Sequence, residues 1–414
     1  MPAKPERAAK QGIFSHKSTH VQNLILELND MADRIRRSGR KVMALHRGDP
    51  PVYFPTPQYV IDAYIKALKE GRTGYSRAQG TPELVDAVIS RYKKYGIPLG
   101  EKDVIVTAGV SEALLFINNA FIDRGDRAVL LRPYYSQYMM RLTAEEGDAV
   151  MGRMLMEKDW RIDINGLRKA LAKAKEGRRP KYIMITNPHN PTGTVTERRE
   201  LKEIVDVANE YGLVLVSDEI YDEIVYNHHT FTSIGHVAGG VPHILLNGSS
   251  KNFDSTGFRI GFMAIPGTDR VSEAMREKFS EYALARLSVN TPAEYAVAEA
   301  ISNTKEHDKA IKSMVDAIQK RVNLTVDLLE ENPYLTVTRP GGAFYVFPKL
   351  DMKSLGFKDS REFTTAVLEE ECVQLTGGSP FGEPDHFRIV ALPPEDVLRD
   401  AIDRVNGFCE RHAR

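Results

Sequence analysis

Between residues 55 and 265 the apolar positions fall in short unbroken runs, separated by stretches with helical spacing. Val104-Ile105-Val106-Thr107, Ala128-Val129-Leu130-Leu131, Tyr182-Ile183-Met184-Ile185-Thr186, Leu213-Val214-Leu215-Val216 and Ile244-Leu245-Leu246 are the clearest. A strand with one wet face alternates apolar and polar residues. These runs do not, which predicts a sheet covered on both faces. Strands separated by helices predict an α/β fold around a mostly parallel sheet.

The flanks read differently. Val21, Leu24, Ile25, Leu28, Met31 and Ile35 recur at helical spacing over 21–39, and Gly39 closes that helix. A short strand, Val42-Met43-Ala44-Leu45, precedes Gly48-Asp49-Pro50. Beyond residue 266 helices are expected over 270–287, 291–303 and 306–331. A smaller α+β unit follows, with strands at Leu335-Thr336-Val337, Phe344-Tyr345-Val346-Phe347 and Phe387-Arg388-Ile389-Val390. The expected division is a large domain over 49–305 and a small one from 21–48 and 306–414, meeting inside the 306–331 helix. Residues 1–20 read as a disordered tail.

At 414 residues there is room for two domains and a large core. Lys and Arg (56) balance Asp and Glu (56), so no net field draws the chain to nucleic acid or an anionic membrane. Basic stretches such as Arg36-Arg37 with Arg40-Lys41 read as solvated surface. Cys372 and Cys409 stand far apart, which excludes a disulfide scaffold or a cysteine zinc site and fits a reducing cytoplasm. His228-His229 reads as surface loop, since adjacent side chains of an extended segment point apart, and no metal site is expected. No apolar run is long enough to span a membrane.

The chemistry gathers where open α/β sheets bind ligands, at the carboxyl ends of strands. Lys251 follows the 244–246 strand within Asn247-Gly248-Ser249-Ser250-Lys251, and Arg259 stands eight positions on. A lysine among small hydroxyl residues with a nearby arginine suits a Schiff base beside a bound phosphate. Ser111, in Ala108-Gly109-Val110-Ser111 at the start of a helix, supplies a second half of that phosphate site. Its alternative is a plain helix N-cap. Asp218, after the 213–216 strand, is a costly buried carboxylate unless paired, and the protonated ring nitrogen of pyridoxal phosphate is such a partner. Its alternative is an N-cap for a helix starting near Glu219. Tyr221 and Asn190 can bond the ring's phenolic oxygen. Tyr135, in Pro133-Tyr134-Tyr135, is the aromatic chosen to stack on the ring. Arg388, an arginine inside an apolar strand, suits capture of an α-carboxylate by its planar fork, with a structural salt bridge as the alternative.

With these residues assembled, the chain resembles the class I and II aminotransferases of the fold-type I pyridoxal-phosphate superfamily, from about residue 40 to 410. The resemblance implies that Lys251 is the covalent lysine and Asp218 the partner of the ring nitrogen. Val110, Ser111, Ser250 and Arg259 match the phosphate cradle, Asn190 and Tyr221 the ligands of the ring oxygen, and Tyr135 the stacking aromatic. Arg388 matches the α-carboxylate arginine, and Gly48 a glycine whose backbone lies beside the substrate. It further implies a homodimer with shared active sites, in which Tyr75 reaches the neighbour's phosphate and Asn290-Thr291-Pro292 crosses near the substrate side chain.

Within the family the chain is most similar to microbial alanine aminotransferases, through Gly48-Asp49-Pro50, Asn290-Thr291-Pro292-Ala293, and Phe387-Arg388 with Leu392-Pro393-Pro394. It departs from them at Arg286-Leu287-Ser288-Val289, where they carry Leu-Cys and then proline or alanine after the arginine. The implied reaction moves an amino group from an L-amino acid, with alanine foremost, to a 2-oxo acid such as 2-oxoglutarate. Aspartate, aromatic or broad specificity, and β-elimination by a pyridoxal-phosphate lyase, are the alternatives.

Overall fold

The computed structural model describes residues 15, 17, 26–174 and 178–414. Most of the tail expected over 1–20, and the first turn of the helix expected from residue 21, lie outside the described residues. The remainder of that helix is Leu26–Arg37. It leads to strand β1 (Met43–Ala44), as the pattern predicts.

An eight-stranded sheet forms the centre of the molecule. Its members are β2 (Val104–Thr107), β3 (Arg127–Arg132), β4 (Asp148–Leu155), β5 (Arg161–Ile162), β6 (Pro180–Thr186), β7 (Val214–Asp218), β8 (His243–Gly248) and β9 (Gly261–Ala264). Their spatial order is β2-β9-β8-β7-β6-β3-β4-β5. Five neighbours, β8, β7, β6, β3 and β4, run parallel. Strand β9 is antiparallel to both neighbours, and β5 is antiparallel to β4.

The continuous apolar runs are explained by what lies on each face. Ile183 and Ile185 pack with Val129, Leu131 and Leu215 on one side. Tyr182 and Met184 pack with Leu130, Val216 and Ile244 on the other. Successive side chains point to opposite faces and both faces are dry, so no position favours a polar residue. The three strands of this sheet not anticipated are β4, β5 and β9. In β4, Val150, Gly152 and Met154 are buried while Met151 and Arg153 are exposed, a wetter pattern set by its place near the sheet edge. Strand β5, with two residues, is too short to show a period.

The first three helices after residue 266 are Arg270–Arg286, Thr291–Ser302 and Thr304–Glu330. Polar caps set their starts. Asp269 accepts from the N–H groups of Val271 and Ser272 at 2.9 and 3.0 Å, and the Asn290 and Asn303 side chains cap the next two.

A separate apolar cluster joins Val322 and Val326 of the long helix to Phe344, Val373, Ile389, Ile402 and Phe408. The strands there are short: β10 (Leu335–Thr336), β11 (Tyr345–Val346), β12 (Lys349–Leu350), β13 (Val373–Gln374), β14 (Thr376–Gly377) and β15 (Phe387–Val390). Strand β1 pairs with β13 in parallel register, so the segment leading to Gly48 is stitched to the C-terminal part of the chain. That stitch places Gly48 over the ends of the central strands.

Candidate active site

A cavity of about 1030 Å³ opens beyond the carboxyl ends of β6, β7 and β8. Lys251, Asp218, Asn190, Tyr221, Tyr135, Ser111, Val110, Ser250, Arg259, Gly48 and Arg388 all line it. Tyr75 does not; it is 83 % exposed, outside the cavity. Asn290 caps the Thr291–Ser302 helix, also away from it.

Lys251 follows β8 on a turn, and its Nζ donates to the Gly48 carbonyl at 2.7 Å. Burial brings its pKa down to about 8, with Arg388 and Arg259 acting in the same sense and Asp49 and Asp218 opposing. Its amine is therefore far closer to neutrality than an exposed lysine. Gly48 has no room for a side chain, because a Cβ there would lie 2.6 Å from the Tyr345 hydroxyl.

Asp218 is the last residue of β7 and is buried. The chain after it turns rather than entering a helix, so it is not a helix cap. Its Oδ2 accepts from the Tyr138 hydroxyl at 2.8 Å, and Oδ1 from the Ile220 N–H at 3.3 Å. No cation among the described residues forms an ion pair with it. Desolvation pushes its carboxyl up to about 6, held from going higher by those bonds and by Lys251. This is a carboxylate placed to face a cation that the described residues do not provide.

Arg388 of β15 reaches the same cavity between the rings of Tyr345 and Phe381, each 4.8 Å from its guanidinium carbon. It donates to Asn190 Oδ1 at 3.0 Å and to the His46 carbonyl at 2.9 Å, while its buried Nε has no partner among the described residues. No carboxylate among the described residues pairs with it, which removes the structural salt bridge as its explanation. A buried guanidinium with donor capacity to spare suits an incoming carboxylate.

The phosphate half of the site lies at the opening of the Val110–Phe121 helix. Gly109 is its N-cap, with φ 73°. Ser111 is thus the second helical residue and not the cap. A Cβ on Gly109 would collide with the Arg259 guanidinium, so the glycine lets the arginine lie against the helix start. Arg259 donates to the Thr256 carbonyl at 2.8 Å and has no carboxylate partner among the described residues. A helix N-terminus, two serines and an uncommitted arginine form a fitting cradle for a phosphate. With Asp218 for a protonated ring nitrogen and Lys251 for an aldehyde, the donor set fits pyridoxal 5'-phosphate.

Several lining residues escaped the sequence reading. Tyr138 holds Asp218 and is bonded to Thr186 at 2.7 Å. It stands three positions after Tyr135 on the next helix, and that spacing was the available signal. Tyr345 bonds Tyr221, hydroxyl to hydroxyl, at 2.7 Å, across a separation of 124 residues that no local pattern reveals. Arg286 lies elsewhere, donating to the carbonyls of Ala78 and Val106 at 3.1 and 3.0 Å.

Comparison with known proteins agrees with this geometry. The family described as Aminotransferase class I and II matches residues 40–405. An aspartate aminotransferase of Bacillus subtilis is 31 % identical over 393 residues, covering 94 % of this chain and 96 % of that protein. The glutamate-pyruvate aminotransferase AlaA of Haemophilus influenzae is 32 % identical over 386 residues, covering 91 % and 92 %. The structure of an alanine aminotransferase from Pyrococcus furiosus superposes with a TM-score of 0.90 at 35 % identity, over 96 % of this chain and 100 % of that one. The family is pyridoxal-phosphate-dependent, and its substrates are amino and oxo acids. The fold-type I architecture, the cluster of Lys251, Asp218 and Arg388, and these likenesses converge: the chain belongs to the class I and II aminotransferases.

Proposed function

We propose that this aminotransferase uses pyridoxal 5'-phosphate to move the amino group of L-alanine to 2-oxoglutarate, as a cytoplasmic homodimer. The observation that carries the site assignment is the unpaired charge at its floor: among the described residues Asp218 has no cation partner and Arg388 no anion partner. Bound coenzyme supplies an aldehyde for the substrate amine and a ring that takes up electron density from the substrate's α-carbon.

The side chains do the rest. Asp218 holds the proton on the ring nitrogen. Asn190 and Tyr221 donate to the ring oxygen, and Tyr135 covers one ring face. Val110, Ser111, Ser250 and Arg259 hold the phosphate. Arg388 grips the α-carboxylate, beside the Gly48 backbone, and so orients the Cα–H bond. Lys251 Nζ accepts the proton leaving Cα and later returns it, work for which a neutral amine is needed. Its depressed pKa supports that role.

Alanine as donor is supported by the named activities of the Haemophilus and Pyrococcus proteins. Aspartate is the second reading, favoured by the Bacillus relative. Tyr75 is proposed to serve the neighbouring subunit. It sits on a loop pinned by Thr291, which donates to the Gly74 carbonyl at 2.8 Å, and by Glu294, which accepts from Ser76. The deciding experiment is a panel of alanine, aspartate, aromatic and branched-chain donors against 2-oxoglutarate. A higher kcat/KM for any other donor than for alanine overturns the alanine assignment, and pyruvate and ammonia formed from a cysteine derivative, with loss of its sulfur substituent and no oxo acid present, favour a β-lyase.

A further inference from the structure

The cavity has a second cluster of cationic side chains that the α-carboxylate and phosphate do not use. Arg36, on the Leu26–Arg37 helix, and Arg47, just before Gly48, both line it. We propose that Arg36 and Arg47, together with the His46 imidazole, form a distal anion subsite that selects amino and oxo acids bearing a second carboxylate. This deepens the amino-transfer reading and rests on it.

Three observations carry the inference. First, the segment holding Arg47 is fixed to the pocket floor at either side. The His46 carbonyl accepts from Arg388 at 2.9 Å, and the Gly48 carbonyl accepts from Lys251 at 2.7 Å. Asp49 accepts from Thr256 at 2.6 Å. Arg47 therefore projects from a preorganised backbone next to both groups expected to handle the amino acid. Second, Arg36 is led to the rim by Gln374 of β13, whose Oε1 accepts from its Nη2 at 3.4 Å. Third, the His46 ring lines the cavity, and its Nδ1 has no hydrogen-bond partner among the described residues. The imidazole stays neutral, lowered to about 4 by burial and by the charges of Arg388, Arg36 and Arg47. A neutral ring keeps an N–H available as a donor without repelling its arginine neighbours.

The arginines are not used up by their own aspartates. Asp33 holds Arg36 at 2.7 Å but is 60 % exposed, and Arg47 meets Asp49 at 3.2 Å while itself 75 % exposed. Ion pairs with at least one partner this exposed are weak and exchange readily for a better-placed carboxylate. Asp49 is also shared with Thr256. A substrate whose α-carboxylate is already gripped by Arg388 offers its second carboxylate to the rim with little further loss of freedom.

The test compares 2-oxoglutarate with pyruvate as acceptor for the wild-type holoenzyme and for Arg36→Met, Arg47→Met and the double variant. The expected result is a fall of about tenfold or more in the 2-oxoglutarate to pyruvate ratio of kcat/KM for the double variant, carried mainly by KM. Arg47→Lys should retain most of the ratio, which guards against a variant that merely misfolds. Glutarate and butyrate supply a readout without turnover: glutarate should raise the wild-type Tm more than butyrate does, and the double variant should lose that difference. A ratio and a Tm difference unchanged within about twofold would overturn the subsite. A wild-type enzyme that binds glutarate preferentially yet transfers no amino group would instead overturn the substrate reading and leave the subsite supported.

Discussion

The Tyr138 hydroxyl donates to Oδ2 of Asp218 at 2.8 Å and meets the Thr186 hydroxyl at 2.7 Å. This chain of hydroxyls fixes the carboxylate at the end of β7 and leaves its charge free for a ligand. Asp218→Asn keeps the shape and the bond from Tyr138 but removes the charge, so kcat should fall on the order of 10²- to 10³-fold. Steady-state kinetics at saturating coenzyme measures it, and a loss below tenfold would argue against an electrostatic role.

The same carboxyl makes coenzyme affinity depend on pH. Desolvation raises the Asp218 pKa to about 6. Above that value the group is charged and can pair with a protonated ring nitrogen. Below it the group is neutral and the pairing is lost. Apoenzyme titrated with pyridoxal phosphate should bind progressively more weakly as pH falls from 7 through 6 to 5, and Asp218→Asn should flatten that trend.

Arg388→Met should raise KM for every α-amino acid, by about 10- to 100-fold, because the carboxylate loses a two-pronged partner. Arg388→Lys should recover only part of the loss, since an ammonium cannot reproduce the planar fork. An unchanged KM across the donor panel would return Arg388 to a purely structural role.

Beneath the site lies a buried ion pair with a stability consequence. Arg91 meets Asp222 at 2.8 Å, and Asp222 also accepts from Asn252, the residue after Lys251, at 2.6 Å. Arg91 further meets Glu223 at 3.1 Å, which His307 approaches at 2.9 Å. Removing Arg91 leaves the buried Asp222 without its cation and Glu223 with His307 in its place. Arg91→Met should cost about 3–5 kcal/mol in denaturant unfolding.

Asp254 makes the opposite prediction. It is buried, its Oδ1 has no partner among the described residues, and burial lifts its pKa to about 8. The folded state therefore holds this proton between about pH 4 and 8 while the unfolded chain releases it, so stability falls as pH rises through that window. Asn tolerates the positive φ of 45° found here. Asp254→Asn should stabilise the protein most near pH 8, by about 1 kcal/mol or more, and progressively less toward pH 4.

How legible the molecule was in its sequence follows from the range of each interaction. The inner strands β6, β7 and β8 could be read because both faces are dry, and Asn190, Asp218 and Lys251 because each sits just beyond such a strand. Ser111 and Arg259 were legible as parts of local motifs. Tyr345 and His46 were not, since each enters the cavity through contacts between distant segments: Tyr345 through Tyr221, His46 through Arg388. Asp218 alone could have been a cap. Only the turn that follows it and the bond from Tyr138 exclude that. Position along the strands was written in the pattern; the choice of partners was made by the pairing of β1 with β13 and of β11 and β14 with β15.

The central claim is that one buried amine, on Lys251, carries the coenzyme. Purified enzyme should be incubated with pyridoxal phosphate, reduced with borohydride and mapped by peptide mass spectrometry. A phosphopyridoxyl group on Lys251, absent from Lys251→Ala, is the predicted result; protein that remains colourless and unmodified at this position would contradict the account.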